Sequence, residues 1–119
     1  MGDISIHFNR SEFACHCGCG FDTVDVGLVS ILETVRTHWN AAVTINSGAR
    51  CLVHNRSIGS TDTSQHTKGR AADIVVRGVS ANHVYNYLNH LYPDALGIGS
   101  YSGFTHVDTR NIKARWASA

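Results

Sequence analysis

The sequence predicts a single α+β domain over residues 1–119, with a small, mostly antiparallel sheet and flanking helices. Its 119 residues, 43% hydrophobic and 16% charged, are enough for one domain with one modest core. Helical patterns come early and between strand patterns, and a short turn through Ser102 and Gly103 joins the last two strand patterns. Strands joined by so short a turn pair as an antiparallel hairpin, which favours antiparallel pairing in the sheet.

The first half of the chain predicts two helices and one strand. After an extended N-terminal arm, residues 9–13 have the polar start of a capped turn or short helix. Apolar side chains at helical spacing predict the first long helix over about 24–38. These side chains are Leu28, Ile31, Leu32 and Val35. β-branched side chains predict a strand over 42–46, which a Ser-Gly pair ends; a helical piece over 51–57 and a loop over 58–63 follow.

A strand, a helix and a hairpin are predicted in the second half. Residues 72–76 are rich in β-branched side chains and form a strand. Ser80 can cap a helix that runs to about residue 92, where Pro93 marks the stop. The hairpin strands cover 96–100 and 104–109.

The composition argues against several classes of partner. The net charge is +1 with neutral histidines and the arginines are scattered, so we expect no binding to nucleic acid. No stretch approaches the roughly 18 apolar residues that span a bilayer, so no membrane insertion is expected. The first residues lack a basic region followed by an apolar run, which argues against a secretory signal. We therefore expect the protein to be made in a cytoplasm. We also expect a monomer.

Two histidines and a carboxylate could meet at one metal ion in this fold. His66 precedes Asp73 by seven positions, and His106 follows Asp73 by 33. Asp73 and His106 fall on predicted strands, and His66 lies in the loop before the first of them. Nitrogen and oxygen donors with one position left for water are usual at a hydrolytic zinc. Each residue also has an ordinary explanation as a core or surface side chain, so spacing alone leaves both interpretations open.

The segment Ser64-x-His66-x-x-Gly69-x-Ala71-x-Asp73 resembles the S-x-H-x-x-G-x-A-x-D signature of the zinc D-Ala-D-Ala carboxypeptidase family. That family includes phage L-alanyl-D-glutamate endopeptidases and shares its fold with the hedgehog signalling domain, so the resemblance implies a hedgehog/DD-peptidase-like fold. Matching segments extend over nearly the whole chain. They are Ser11-Glu12-Phe13, Leu32-Glu33-x-x-Arg36, Ile45-Asn46-Ser47-Gly48-Ala49-Arg50, His54-Asn55, Ile58-Gly59, Gly97-Ile98-Gly99-x-Tyr101, Phe104-Thr105-His106-Val107-Asp108-x-Arg110 and Arg115-Trp116.

The resemblance implies roles for individual residues. His66, Asp73 and His106 would be the ligands of one Zn²⁺ per chain. Arg50 would bind the substrate carboxylate or the oxygen that becomes negative during the reaction, because its charge is fixed; a surface salt bridge is the alternative. Ser64 would orient a ligand or contact substrate, unless it is a simple loop cap. The domain would be a zinc peptidase, of carboxypeptidase or endopeptidase type, that cuts an amide bond in the peptide stem of bacterial peptidoglycan.

The chain departs from this family at the catalytic base. Many relatives place an acidic residue three positions before the last histidine, or a histidine two before it. Here those positions are Gly103 and Phe104, neither of which can take a proton. Asp108 is the nearest substitute, since it lies on the same strand face as His106, and we predict it to be the general base. Two alternatives stay open: Asp108 is a ligand and His106 the acid/base, or Asp108 only orients a ligand.

The resemblance to phage-type members predicts a phage lysis enzyme, or endolysin. Such a protein is made in the host cytoplasm without a signal peptide and acts on the cell wall, in the periplasm, after release. One alternative is a catalytically reduced module that binds peptidoglycan, which the departure before His106 keeps open. Another is a structural component of the virion or tail with the same fold.

Four cysteines leave several states open. Cys15, Cys17 and Cys19 form a C-x-C-x-C run, and Cys51 adjoins Arg50. A structural zinc site is possible, but the spacing is tighter than the usual C-x-x-C of zinc hairpins. Disulfide pairing between the N-terminal arm and Cys51 would need an oxidising compartment. Free thiols in a cytoplasmic protein are the remaining interpretation.

Overall fold

A computed structural model of the chain describes residues 2–117. Within that range the chain forms three α-helices, five β-strands and two short 3₁₀ helices. In chain order the helices and strands are α1 (Val26–Trp39), β1 (Val43–Ser47), α2 (Leu52–Ser57), β2 (Ala71–Val76), α3 (Ala81–Leu91), β3 (Gly97–Ser100), β4 (Thr105–Asp108) and β5 (Ala114–Ala117). The 3₁₀ helices are Arg10–Phe13, before α1, and Gln65–Lys68, directly before β2.

The strands form one sheet in the order β1-β2-β4-β3-β5. Neighbouring strands are antiparallel except for β3 and β5, which run parallel. The predicted α+β fold with a mostly antiparallel sheet is therefore confirmed, and β3 and β4 pair as the expected hairpin. The central pair, β2 and β4, brings Asp73 directly opposite His106.

The core lies where α1 and α3 pack against this sheet. The apolar face of α1 is buried, as its helical spacing predicts, and Leu28, Leu32 and Val35 have no exposed surface. The side chains that meet them from the sheet and from α3 are Ile74, Val76, Val84, Leu88, Ile98 and Val107. One continuous cluster thus supports the strands that carry Asp73 and His106.

Local signals set the ends of both long helices. Asn40 ends α1 in the left-handed conformation, with a φ of 47°, which asparagine tolerates better than most residues. Ser80 caps α3 as predicted, because its hydroxyl oxygen accepts a hydrogen bond from the His83 amide at 3.2 Å. Helix α3 ends at Leu91, two residues before Pro93. No helix within residues 2–117 is both long and apolar enough to cross a membrane.

The N-terminal arm is fastened to α1 through one carboxylate. Glu33 accepts hydrogen bonds from the Ser5 hydroxyl at 2.6 Å and from the His7 amide at 2.7 Å. Its second oxygen lies 2.6 Å from Nδ1 of His7. Beyond the arm, the buried Phe13 accepts a hydrogen bond from the Ala49 amide at 2.8 Å. This last contact brings the 3₁₀ helix Arg10–Phe13 beside the segment that follows β1.

Strand β5 is absent from the sequence prediction. It has only four residues and none of them is fully buried, so no local pattern marks it. What holds it in place is non-local: the Arg115 guanidinium donates to carbonyl oxygens in the connection between α3 and β3. The acceptors are Tyr92 at 2.6 Å, Ala95 at 2.8 Å and Leu96 at 2.7 Å.

Candidate active site

Three side chains able to bind a metal converge beside the central strand pair. Asp73 on β2 and His106 on β4 are cross-strand partners, and His66 lies in the 3₁₀ helix just before β2. Oδ1 of Asp73 is 2.9 Å from Nδ1 of His106 and 3.3 Å from Nε2 of His66. One donor atom from each residue lies within 4.8 Å of the other two, and all three residues are buried. The predicted ligand residues are thus brought together.

His66 is held by contacts with its own helix and with the end of β1. Its Nδ1 lies 2.7 Å from the carbonyl oxygen of Gly48, so a proton on Nδ1 is donated there and Nε2 faces Asp73. The Ser64 hydroxyl oxygen accepts from the His66 amide at 3.3 Å, which makes Ser64 the cap of this helix. Gly69 ends the helix with a φ of +69°, and an added Cβ would collide with the Thr23 carbonyl.

His106 is positioned from its other side by Asp108. Oδ2 of Asp108 lies 2.7 Å from Nε2 of His106, so a proton on Nε2 leaves the Nδ1 lone pair for a metal. Arg110 binds both Asp108 oxygens, at 2.8 and 2.7 Å, and the Gly97 amide donates at 3.1 Å. Burial alone would raise the pKa of Asp108, but hydrogen bonds from His106 and Arg110 outweigh it and hold the pKa well below its usual range.

The donor set and its spacing fit zinc. Tetrahedral zinc with bonds of about 2.0–2.1 Å places neighbouring nitrogen and oxygen ligands roughly 3.3 Å apart, close to the separations from Asp73. Burial opposes ionisation of Asp73, but in the metal-free site protons on the facing nitrogens of His106 and His66 are donated to it and hold its pKa well below the usual range; a bound metal would take the place of those protons. The carboxylate is therefore deprotonated, as a metal ligand must be. Two imidazoles and one carboxylate leave a fourth position for water or substrate.

Arg50 shares a cavity of about 400 Å³ with these ligands. Its guanidinium donates to Asn55 Oδ1 at 3.1 Å and to Ser47 Oγ at 3.1 Å, and lies 3.5 Å from Asp73 Oδ2. Asn55 is fully buried and donates in turn to the Thr61 carbonyl at 2.7 Å. Arg50 is thus a fixed cation beside the metal ligands, rather than a member of a surface salt bridge.

The comparison with known families identifies the chain. The family model of peptidase M15 matches residues 6–108, a range that includes all three candidate ligands. The chain belongs to the peptidase M15 family. This is the zinc D-Ala-D-Ala carboxypeptidase family that its motifs resemble, and membership makes the chain a zinc metallopeptidase. A search of the curated proteins finds no match.

Aromatic side chains wall the cavity of this M15 peptidase. Tyr101 and Phe104 stack with ring centroids 4.4 Å apart, on either side of the turn between β3 and β4. Trp116 of β5 donates from Nε1 to the Tyr101 hydroxyl at 2.9 Å, and its ring lies 5.1 Å from that of His106. The Arg110 guanidinium lies over the Trp116 ring at 5.3 Å. These rings offer an apolar surface next to the metal ligands.

Two residues of this M15 site escape sequence reasoning. Asn55 lies on a short helix, and nothing in the sequence indicates that its amide binds Arg50. Its complete burial is a usable signal once the structure is known, because a buried amide needs hydrogen-bond partners. Trp116 lies on the unpredicted β5, and both residues enter the sequence argument only as parts of matching segments. Both reach the site through tertiary contacts that local patterns do not encode.

Proposed function

We propose that this M15 peptidase hydrolyses an amide bond in the peptide stem of bacterial peptidoglycan. The observation that carries the proposal is the place of Arg50, a half-buried cation in the same cavity as His66, Asp73 and His106. Stem peptides carry free carboxylates and a planar guanidinium binds a carboxylate through two parallel hydrogen bonds. A fixed cation beside a zinc donor set suits such a substrate better than an uncharged peptide.

Each of the site residues has a separate role in this reaction. His66, Asp73 and His106 would hold the zinc ion, which when bound would supply an activated water and polarise the scissile carbonyl. Arg50 binds the substrate carboxylate or stabilises the developing negative charge on that oxygen. Phe104, Tyr101 and Trp116 pack against the apolar parts of the peptide. Asp108 orients His106, because its carboxylate is enclosed by His106, Arg110 and the Gly97 amide.

The sequence leaves three roles open for Asp108, as a general base, as a metal ligand and as a residue that orients a ligand, and this assignment gives it the last of these roles. A general base must come within hydrogen-bonding reach of the attacking water. Asp108 is fully buried and does not line the cavity, whereas His106 does. Its lowered pKa also makes it a weak proton acceptor. We therefore propose that Asp108 acts through His106 rather than on the water.

Digestion of purified peptidoglycan tests the enzyme. Zinc-loaded protein should release new fragments, and chelation or His66→Ala should abolish that release, while the exposed His83→Ala serves as the matched control. Mass spectrometry of the fragments assigns the bond: loss of terminal D-alanine indicates a carboxypeptidase, and cleavage between L-alanine and D-glutamate an endopeptidase. If zinc-loaded protein produces neither fragment, the peptidase proposal fails.

A peptidoglycan-binding module is the second candidate. The enclosure of Asp108 favours it, together with the lack of a proton acceptor at Gly103 and Phe104. Such a module would pull down with peptidoglycan in a zinc-dependent manner but release no fragments. Co-sedimentation run beside the digestion separates the two candidates.

We further propose a role as a phage lysis enzyme that acts on the wall of its host from within the periplasm. The resemblance to phage-type family members supports this role. Production inside a bacterium should be harmless until the inner membrane is permeabilised, and should then lyse the culture. Lysis that does not depend on His66 would contradict the proposal, and so would detection of the protein in purified virions without any effect on the wall.

A further inference from the structure

All four cysteines of the chain meet in a group that shares no residue with the candidate ligands of the active site. Cys15, Cys17 and Cys19 lie on the loop before α1, and Cys51 directly precedes α2. We call these four residues the thiol cluster. All the Sγ atoms lie within 4.8 Å of one another, and none of the four residues forms a disulfide.

The sulfur separations match four ligands around one ion. The Sγ atom of Cys15 is 3.4 Å from that of Cys17 and 3.9 Å from that of Cys51, and Cys17 is 3.6 Å from Cys51. Four thiolates at about 2.3 Å from a tetrahedral zinc lie roughly 3.8 Å apart. Disulfide bonding would instead bring the sulfurs into two pairs about 2.05 Å apart. The sulfurs of Cys15, Cys17 and Cys51 are separated by 3.4–3.9 Å and that of Cys19 lies within 4.8 Å of them, an arrangement that suits a shared centre better than two disulfides.

The loop that carries three of these sulfurs folds tightly enough to aim them inward. The Cys15 amide donates to the Phe21 carbonyl at 2.7 Å, and the Gly18 amide donates to the Cys15 carbonyl at 3.2 Å. Gly18 and Gly20 have φ angles of +81° and +90°, which side chains rarely permit. These two turns let the loop bring its cysteines to one centre despite the short C-x-C-x-C spacing, which from sequence alone argued against a metal site.

Backbone amides point at three of the four sulfurs. The Cys51 amide donates to Cys15 Sγ at 3.5 Å, and the Phe21 amide donates to Cys19 Sγ at 3.5 Å. The His54 amide donates to Cys51 Sγ at 3.4 Å. Amide donors stabilise a thiolate over a thiol and are the usual second shell of a metal-bound sulfur.

Four thiolates this close together need a cation between them. The Sγ atoms lie within 4.8 Å of one another, so the negative charges of four thiolates would repel each other. A bound dication would remove that repulsion and let all four sulfurs ionise.

We propose that Cys15, Cys17, Cys19 and Cys51 bind a second zinc ion with a structural role. The ion ties the loop before α1 to the residue next to Arg50. It therefore fixes the backbone from which the Arg50 side chain enters the active-site cavity. Four protein ligands leave no position for water, so this ion holds structure and does not take part in hydrolysis.

Metal stoichiometry of the purified chain tests the proposal independently of enzyme activity. Mass-spectrometric metal analysis should find two zinc ions per wild-type chain. Cys17→Ser/Cys19→Ser, which changes two exposed residues, should retain one ion, and so should His66→Ala, while His83→Ala retains two. Cobalt substitution should give a sulfur-to-cobalt charge-transfer band in wild type and in His66→Ala but not in the cysteine double variant.

A second measurement covers the case in which the double variant does not fold. Titration of the wild-type protein with a mercurial thiol reagent should release one zinc ion and leave the other bound. One zinc ion per wild-type chain, with four thiols that alkylate freely, would overturn the proposal. So would an intact mass that shows two disulfides in protein purified without oxidant. If two ions are found but peptidoglycan is not cut, this site stands and the proposed function fails.

Discussion

At the scale of single residues, the carboxylate of Asp108 explains why one imidazole nitrogen is free for a metal. It receives hydrogen bonds from His106, from the Arg110 side chain and from the Gly97 amide, and it has no exposed surface. A carboxylate in this position fixes both the ring orientation and the tautomer of the ligand histidine. In the proposed mechanism, chemistry at the metal therefore depends on a residue that does not line the active-site cavity.

Asp108→Asn should weaken zinc binding by about 10–100-fold, as loss of such a partner usually does. Activity should recover in large part when zinc is saturating. The measurement is a zinc titration combined with turnover of a muropeptide, and the exposed Asp94→Asn is the control. Unchanged zinc affinity with activity lost even at saturating zinc would instead make Asp108 the general base.

Arg50→Lys should lower kcat/KM by about 10²-fold, the usual cost of losing one donor to a developing charge. Lysine keeps the charge but cannot donate to Asn55, Ser47 and the substrate through a planar fork. Turnover of stem peptide by the variant and by the exposed Arg56→Lys gives the comparison. Equal activity of both variants would remove Arg50 from the substrate site.

At the scale of elements, the helices that local signals mark are predicted from the sequence, whereas the elements that distant residues hold in place are not. Helices α1 and α3 are predictable because their apolar spacing and the Ser80 cap are local signals. The 3₁₀ helix of His66 and strand β5 are not, because each is short and held by distant groups. Donor chemistry and spacing made His66, Asp73 and His106 candidates, and the family resemblance predicted them as ligands; the place of Trp116 required β5 to be known.

The attachment of the N-terminal arm to α1 gives a pH-dependent prediction. Burial would raise the pKa of Glu33, but bonds from Ser5 and His7 lower it below its ordinary value. Because the pKa of Glu33 is lower in the folded state than in the unfolded state, the ionised carboxylate stabilises the folded protein at pH values above the unfolded pKa of about 4.3. That stabilisation is lost as the pH falls through the folded-state pKa. Glu33→Gln should therefore cost about 1–2 kcal/mol at neutral pH and progressively less as the pH falls below the unfolded pKa.

Urea unfolding at several pH values measures this difference. Asp94→Asn, a change of an exposed acid in the connection before β3, is the control and should show little effect at any pH. A cost for Glu33→Gln that stays constant down to pH 3 would mean that the ionised carboxylate does not hold the arm.

At the scale of the whole molecule, one core links the helices to the sheet, so the domain should unfold as a unit. Leu32→Ala removes a fully buried side chain of α1 and should cost about 2–5 kcal/mol, whereas Val26→Ala on the exposed face should cost under about 1 kcal/mol. The two tryptophans report from different regions, Trp39 at the end of α1 and Trp116 beside the active site. Circular dichroism and the fluorescence of Trp39→Phe should give coincident transitions; separate midpoints would show that the active-site region unfolds alone.

The register of β2 against β4 has a practical consequence for preparing the protein. Asp73 and His106 oppose each other in that register, and a slip of one residue would turn one of them to the other face of the sheet. Metal occupancy of the active site is therefore a quality-control assay for refolded material. With His66, Asp73 and His106 as the proposed ligands, the fraction of chains that load zinc there would count those with correctly aligned strands, even in a preparation whose overall secondary-structure content looks native.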